Sequence, residues 1–348
     1  MDINLKLLET IRPYCYNYKV TDYEVQRFLS IAPNKILERQ KEATSLIQDI
    51  LSDHGKNDLL RYISQLAKVE NETIYSQSHL RDHVVHAFLT FLLGIYVNEE
   101  FIRPQIGFSV DTFQWQLAAL MHDVGYPPEL SSRMTINYTN TARESRTRYK
   151  IFRKIGFRQV PFGFQSLTRR RNAFVLIQKC IDKWGLQIDA KHEYTRMIRS
   201  GYILHGIMSS LTILNHVDDL YDSNNRLHVY EDVYSSGTRI NWNQRCFDED
   251  IVPACAAIFV HNLPADCFNE KKIRLSKAPL AFLLNLCDAL QQWERPSQDN
   301  PSGFDSSSFD IELADDHLIF KAEMSDNDKE GIRKEIKQYL SRPKVTVV

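Results

Sequence analysis

The chain has 348 residues, of which 43% are hydrophobic and 25% charged, with a formal net charge of −1. This composition is typical of a globular protein long enough for one large domain or two ordinary ones. The near-neutral charge excludes a globally basic protein, although local charge can still matter. Six cysteines lie apart without any CxxC pair, which argues against a zinc knuckle or a disulfide framework and favours a reducing compartment.

The N-terminal part of the chain is predicted to be helical. The first residues, MDIN, contain no basic stretch before an apolar run, so we expect a cytoplasmic protein without a signal peptide. Residues 3–68 then carry apolar side chains at three- and four-residue spacing, as at Leu5, Leu8 and Ile11. This spacing predicts amphipathic helices, and we assign residues 1–70 to an N-terminal helical region.

The middle of the chain contains helices that are apolar on nearly all sides, and such helices are buried in the core. They are predicted over 84–97, 113–122, 201–215, 251–261 and 279–293. The longest apolar stretch, 84–97, is interrupted by His86 and is too short to span a bilayer, so no membrane partner is expected. Two polar connections, over 126–172 and 216–250, are expected to form loops and short helices on the surface.

The composition and the spacing of apolar residues change in the C-terminal part of the chain. Residues 295–308 are rich in Pro, Ser, Asp and Asn and have the composition of a linker. Residues 309–324 alternate apolar and polar side chains, which predicts a β-hairpin, and a polar helix is expected over roughly 326–341. The sequence therefore predicts a mainly α fold with a small α/β appendage, a β-hairpin plus helix, over 305–348.

Histidine and aspartate residues interrupt or end the five apolar helices. They are His86, His122 with Asp123, His205, His261 and Asp288. A buried carboxylate such as Asp288 needs a cation, a metal or strong hydrogen-bond donors, because an unpaired buried charge costs several kcal/mol. One shared metal centre would explain all six residues.

The types of these residues limit which metal ions the site can bind. Neutral imidazole and carboxylate together suit divalent ions such as Mn, Fe, Ni, Co or Zn, and Mg is kept as a further candidate. The lack of thiolate ligands argues against a structural zinc site. A mixed His/Asp site with open positions can lower the pKa of bound water and polarise a phosphoryl oxygen. Two metals bridged by one aspartate would act on both the attacking and the leaving oxygen, so one or two ions are expected.

The order His86, His122-Asp123, Asp288 resembles the H…HD…D pattern of the HD superfamily of phosphohydrolases. His205 and His261 fall where binuclear members of that superfamily place additional histidines. The neighbourhoods RDHVVHAFLTFLLG, HDVGYP, HGIMSS and LLNLCDALQQWERP also look like a bacterial HD subgroup. The resemblance covers roughly 75–296, and it implies an HD-type helical bundle over 71–296 with an insertion near 130–172.

The resemblance implies a metal-dependent phosphohydrolase. It implies that His86, His122, Asp123 and Asp288 are the core metal ligands and that His205 and His261 support a second metal. Asp123 would bridge the metals or orient an activated hydroxide that attacks phosphorus. His205 is left open, because it can ligate a second metal or act as general acid toward the leaving oxygen.

His83 is the rival of His86 for the first-ligand position, because it lies three residues earlier on the same helical face. We prefer His86, since the apolar run after it matches the helix register of the family. His83 is then a group that supports a ligand or binds phosphate, or else a surface histidine. Arg81 is either a solvated residue or a contact to a substrate phosphate. Four other histidines, His192, His216, His228 and His317, lie in polar contexts and are expected on the surface.

A basic segment follows the His122-Asp123 pair. Residues 143–171 contain ten Lys or Arg and one acid, Glu144, together with five aromatic residues. It is either a solvated basic face or a mobile insertion that attracts polyanions, in which Arg169, Arg170 and Arg171 contact substrate. Its aromatic residues could stack on the bases of single-stranded nucleic acid.

The substrate favoured by these features is a phosphorylated small molecule, namely a nucleotide, a cyclic nucleotide or dinucleotide, or a (p)ppGpp-like compound. The alternative enzyme is a metal-dependent nuclease that acts on single-stranded nucleic acid. A third alternative is a regulatory module that senses a nucleotide without turnover, against which the intact ligand set argues. No GxxxxGK[ST] or GxGxxG element occurs, so kinase and dinucleotide-cofactor functions lack support. The sequence leaves open whether the chain forms homo-oligomers.

Overall fold

The structure of the chain is a computed structural model that describes residues 2–53, 56–74, 82–133, 172–226, 244–268, 271–294 and 303–348. The described residues are mainly helical, with one small sheet at the C-terminal end. The predicted mainly α fold with a small C-terminal appendage is confirmed.

The N-terminal helices cover one side of the core. They are α1 (Ile3–Ile11), α2 (Asp22–Ser30), α3 (Ile36–Asp53) and α4 (Leu60–Ile74). Helix α2 begins with a capping box in which Thr21 and Glu24 satisfy each other's backbone N–H groups. Helices α1, α3 and α4 all pack against the helix that follows them, which carries His86.

Four further helices surround the place where the polar residues meet. Helix α5 (His83–Tyr96) is buried along its whole length and continues helically to residue 106, and α6 (Thr112–Met121) packs on it. Helix α11 (Val252–His261) and helix α12 (Pro279–Leu290) pack against each other and against α6. The predicted apolar helices at these positions are confirmed. Their ends are shifted by up to three residues, except that the helical stretch of α5 continues to residue 106 instead of ending at 97.

Between α6 and α11 lie helices over 126–133 (α7), Ala173–Trp184 (α8), Ala190–Ser200 (α9) and His205–Arg226 (α10). The prediction for α10 was wrong at both ends, because residues 201–204 precede the helix and 216–226 continue it. The polar residues of 216–226 predicted a connection on the surface, but His216, Val217 and Asp218 are buried. Helix α10 packs along α11, which buries this part of it.

The C-terminal appendage is a three-stranded sheet with a helix. Strands β1 (Phe309–Ala314) and β2 (His317–Ala322) form the predicted hairpin, with Asp315 in the left-handed region at its turn. Helix α13 (Asp326–Tyr339) follows and packs on α12, and a short strand β3 (Val345–Val347) pairs parallel to β2. The sequence did not predict β3, since three residues are too few for a visible alternation.

One continuous hydrophobic core joins the N-terminal helices, the central helices and the C-terminal sheet. Among the described residues, the stretch His83–Ile106 is long and apolar enough to cross a membrane by length and composition. However, 89% of its apolar window is buried inside the protein, as in the core helix of a soluble protein. The apolar run predicted as too short to span a bilayer therefore belongs to a longer helix, whose surroundings are protein.

Candidate metal centre

The six predicted ligands come together between α5, α6, α10, α11 and α12. His86 lies in α5, His122 and Asp123 directly follow α6, His205 begins α10, His261 ends α11 and Asp288 lies in α12. They form three overlapping groups, and within each group one potential ligand atom per residue lies within 4.8 Å of the others. The groups are His86, His122 and Asp123; His122, His261 and Asp288; and Asp123, His205 and His261.

Two of the imidazoles are fixed by backbone carbonyl groups. His122 Nδ1 lies 2.8 Å from the carbonyl oxygen of Ala119, and His261 Nδ1 lies 2.5 Å from that of Ile258. A carbonyl oxygen only accepts hydrogen bonds, so Nδ1 carries the proton in both rings. The unprotonated Nε2 of each ring therefore points into the cluster.

The other two imidazoles are fixed by side chains. His86 Nδ1 is hydrogen-bonded to Gln291 Oε1, and His205 Nδ1 lies 2.7 Å from Glu129 Oε2. These are again acceptors, so Nδ1 donates and Nε2 faces inward. Metal-binding histidines commonly donate their outer N–H to a carbonyl or carboxylate in this way, which fixes the tautomer and the ring orientation.

In the neutral imidazoles the inward-facing Nε2 atoms are acceptors, and they meet other acceptors. His86 Nε2 lies 2.9 Å from Asp288 Oδ1, and His205 Nε2 lies 3.2 Å from His261 Nε2. The buried Nε2 of His122 makes no hydrogen bond to any residue that the structure describes. Lone pairs at these distances require shared protons or a cation between them. Imidazole nitrogen with carboxylate oxygen is a donor set that fits a first-row divalent metal ion.

The electrostatics keep Asp123 ionised. Burial alone would raise the pKa of Asp123, but the imidazoles of His122, His83 and His205 hold it well below its ordinary value. Burial would lower the pKa of His205, but the nearby carboxylates of Asp123 and Glu129 raise it above its ordinary value. For His261, burial and the neighbouring His205 and His122 lower the pKa to about 3. His261 is therefore neutral at neutral pH, whereas His205 holds a proton more readily than an ordinary histidine.

Close backbone contacts hold α10 against the turn that carries His122 and Asp123. The N–H of Gly125 donates to Ser209 Oγ over 2.7 Å, and that hydroxyl donates to the carbonyl oxygen of His122 over 2.6 Å. A Cβ atom on Gly125 would lie 2.4 Å from the carbonyl oxygen of His205, so no larger residue fits there. Gly206 approaches α11 equally closely, since its Cβ would lie 2.8 Å from the His261 ring.

His83 supports Asp123 rather than replacing His86. Its Nδ1 lies 2.8 Å from Asp123 Oδ2, and its ring packs on Tyr126 with centroids 3.7 Å apart. The backbone N–H of His83 donates to the buried Glu70 over 2.6 Å. This placement fits the supporting role left open by the sequence and excludes the surface alternative, because His83 is 3% exposed.

Several predicted substrate contacts lie outside the described residues. These are Arg81, the basic segment 143–171 with Arg169, Arg170 and Arg171, and also His228. His192 is exposed and His317 is partly exposed.

The prediction that His216 lies on the surface was wrong. It is 8% exposed, its Nδ1 lies 2.6 Å from a guanidinium nitrogen of Arg61, and its ring packs edge-on against Tyr62. Burial, and then the charge of Arg61, lowers the pKa of His216 to about 4, so the ring is neutral at neutral pH. It lies between α4 and α10, and it is not part of the groups that could hold a metal among the residues that the structure describes.

Sequence reasoning missed Gln291 and Glu129, which hold the outer nitrogens of His86 and His205. They are separated from their partners by 205 and 76 residues, and neither belongs to the histidine and aspartate pattern. Both are nevertheless buried polar residues, at 1% and 2% exposure. In the sequence, their position next to apolar helix segments was the only feature that could have indicated their burial.

Cysteine takes no part in the candidate metal groups found among the described residues. Cys287 is adjacent in sequence to Asp288, but burial raises the pKa of its thiol well above the ordinary value. A thiol that stays protonated is a poor ligand.

Comparisons of the chain with protein-family models, with curated proteins and with solved structures give no match.

Proposed function

We propose that the chain is a cytoplasmic, divalent-metal-dependent phosphohydrolase that cleaves a phosphate ester or anhydride of a nucleotide-type substrate. The observation that carries the proposal is the convergence of four imidazole Nε2 atoms and two carboxylates whose outer atoms are already satisfied. Acceptor atoms gathered this closely in a core favour a cation between them. The resemblance of the ligand order to the HD superfamily supports the same activity.

His86, His122, Asp123 and Asp288 would hold a first metal ion, and His205 and His261 would complete a second site. Asp123 belongs to two of the three groups of potential ligands, so its two oxygens suit a bridge between ions. When bound, a divalent cation supplies a lowered pKa for coordinated water and Lewis-acid polarisation of a phosphoryl oxygen. The roles that follow belong to the chain's own side chains.

Asp123 would orient the attacking group, because the neighbouring imidazoles keep it ionised and His83 fixes its Oδ2 over 2.8 Å. Where only the first site is filled, His205 would stay unligated and donate a proton to the leaving oxygen. Its side chain is 15% exposed while that of His122 is fully buried, so it lies at the accessible side of the cluster. Burial lowers the pKa of His205, but Asp123 and Glu129 raise it above the ordinary value, which suits a general acid near neutral pH.

The proposed substrate is a phosphorylated small molecule. A nucleotide, a cyclic nucleotide or a (p)ppGpp-like compound is the first choice. The ten cations and five aromatic residues of 143–171 favour the alternative of a metal-dependent nuclease on single-stranded nucleic acid. A nucleotide sensor without turnover remains the third alternative. Either enzyme would bind the phosphate groups partly through Arg81, Arg169, Arg170 and Arg171.

The test is an activity screen on metal-depleted protein reloaded with Mn, Fe, Co, Ni, Zn or Mg. Nucleotides, cyclic nucleotides, dinucleotides and single-stranded oligonucleotides are offered, and phosphate or nucleotide release is measured. We expect turnover with at least one ion, and none in His122→Ala/Asp123→Ala. Substrate binding without turnover for every ion would favour the sensor, and neither binding nor turnover would contradict the proposal.

The same screen separates the two enzymes when repeated with Arg169, Arg170 and Arg171 all changed to Glu. KM should rise with little change in kcat, because these residues contribute uniform binding. For an oligonucleotide, binding by the unaltered chain should weaken steeply with salt, and the variant should show a shallower slope. For a mononucleotide, both salt slopes should be small.

A further inference from the structure

A chain of buried hydrogen bonds leads from His86 to the N-terminal helix. Gln291 Oε1 accepts from His86 Nδ1, and Gln291 Nε2 donates to the carbonyl oxygen of Trp293 over 2.7 Å. The indole N–H of Trp293 donates to Asn4 Oδ1 over 3.0 Å. The contacts connect residues that are 205 and 289 positions apart in the sequence.

The series of hydrogen bonds continues from α1 to α3. Asn4 Nδ2 donates to Glu294 Oε1 over 2.9 Å, and Glu294 Oε2 forms an ion pair with Arg39. The guanidinium of Arg39 also lies 4.9 Å from the centroid of the Phe28 ring. Glu294 adopts a φ of 56°, a left-handed conformation that is unfavourable for a side chain with a Cβ atom. Asn4 and Arg39 hold it there, and with it the backbone of 291–294.

The orientation of the Gln291 amide follows from these contacts. Since Nε2 donates to a carbonyl oxygen, Oε1 is the atom that faces His86. An acceptor at that place requires a proton on His86 Nδ1, so a metal ion can bind His86 only through Nε2. Gln291 is 1% exposed and His86 is 2% exposed, so water does not take over this role.

We propose that Gln291 is a positioning residue that sets the tautomer of His86, and that α1 and α3 hold Gln291 in place. The N-terminal helices α1 and α3 would thus help to orient His86, although they contribute no ligand themselves. Asn4 and the Arg39–Glu294 pair together form what we call the clamp. The proposal rests on the proposed function only in treating His86 as a metal ligand.

The expected size of the effect is that of losing the partner of a metal-bound histidine, about 10- to 100-fold in metal affinity. Gln291→Leu removes the acceptor at similar volume, whereas Gln291→Glu keeps an acceptor at the same reach. Gln116→Leu is the matched control, because Gln116 is a fully buried glutamine that donates to the backbone of Tyr18 over 2.9 Å. This hydrogen bond does not involve a candidate ligand.

The experiment titrates metal-depleted full-length protein with Co²⁺ and follows its visible absorption. We expect Gln291→Leu to weaken cobalt binding about 10- to 100-fold, Gln291→Glu to restore most of it, and Gln116→Leu to leave it unchanged. Asn4→Ala, which loosens the clamp without touching Gln291, should weaken binding by a smaller factor. Unchanged affinity in Gln291→Leu, or an equal loss in Gln116→Leu, would overturn the proposal.

A second measurement separates this proposal from the proposed function. Long-range ¹H–¹⁵N correlation spectra of the metal-free protein report which nitrogen of His86 carries the proton. We expect the Nδ1–H form in the unaltered chain and a mixture of forms in Gln291→Leu. If the unaltered chain binds no cobalt, the metal assignment fails, while this spectrum still decides the role of Gln291. An Nε2–H form in the unaltered chain would overturn that role.

Discussion

Two buried polar clusters lie at opposite ends of the same hydrogen-bond chain, and they are built differently. In the clamp, each contact pairs a donor with an acceptor, as between Trp293 and Asn4 or between Arg39 and Glu294. In the metal centre, the outer nitrogens of the imidazoles are paired, but the inner atoms of His86, His122 and His261 are all acceptors. The clamp therefore balances opposite charges within the protein, although Nε and Nη1 of Arg39 make no hydrogen bond to a described residue. The candidate metal centre instead gathers acceptors and favours a cation.

This difference distinguishes buried polar residues that stabilise the fold from buried polar residues that can bind a ligand. Both clusters consist of charged or polar residues in apolar surroundings, so burial by itself does not distinguish them. What distinguishes them is which atoms face each other. Donors face acceptors in the clamp, whereas neutral imidazole and carboxylate acceptors face each other in the candidate metal centre, as at a site for a cation. The predictions below remove parts of each cluster in turn.

The largest expected effect is on metal content. In His122→Ala/Asp123→Ala, every one of the three candidate ligand groups loses at least one member, so bound metal should fall to background. The helical circular dichroism should persist, because the hydrophobic core is unchanged. Elemental analysis after purification from metal-supplemented medium measures this, and an unaltered stoichiometry would contradict the ligand assignment.

The second effect concerns stability in the clamp. Glu294→Ala leaves the buried Arg39 without its carboxylate, which should lower the free energy of unfolding by about 3–5 kcal/mol. The double variant Arg39→Met/Glu294→Leu replaces the pair with apolar groups and should recover much of that loss. Urea denaturation measures both. If the single and double variants are equally unstable, the pair does not behave as a self-contained donor and acceptor network.

The third effect tests the contact between α10 and the turn after α6. Gly125→Ala places a Cβ atom 2.4 Å from the His205 carbonyl oxygen and 2.5 Å from the Ser209 nitrogen, both backbone atoms. Overpacking of this kind costs about 1–3 kcal/mol. Metal binding should fall as well, since α10 carries His205. The control is Gly331→Ala in α13, where a Cβ meets nothing within 4 Å and stability should be equal or slightly higher. Equal stability of both variants would contradict the packing described.

The smallest effect is the pH dependence of metal affinity. The pKa of His205 is raised above its ordinary 6.5, so in the metal-free protein His205 holds a proton that a metal ion must displace. Affinity should therefore rise with pH and level off above that raised pKa, by up to about tenfold per pH unit for one proton. His205→Gln should show a flatter profile. Cobalt titrations from pH 6 to 8 measure the slope, and identical slopes would show that His205 releases no proton.

The residues of the candidate metal centre could be recognised in the sequence more readily than the side chains that support them. His86 and Asp288 stand out because each interrupts a helix that is otherwise apolar, and the helix positions follow from spacing alone. Gln291 and Glu129 could not be assigned, because their roles arise from contacts between distant segments. His216 was misplaced for a related reason. Its polar neighbours suggested a surface, but the contact of α10 with α11 and of His216 with Arg61 buries it.

The central claim is that imidazoles and carboxylates hold a divalent cation in this core. X-ray absorption at the K-edge of the metal bound to the purified protein tests it most directly. We expect nitrogen and oxygen ligands at about 2.0–2.2 Å, with outer-shell scattering from several imidazole rings. Those imidazole features should vanish in His122→Ala/Asp123→Ala. A protein that binds no stoichiometric metal, or a spectrum with sulfur ligands at about 2.3 Å and no imidazole scattering, would contradict the account.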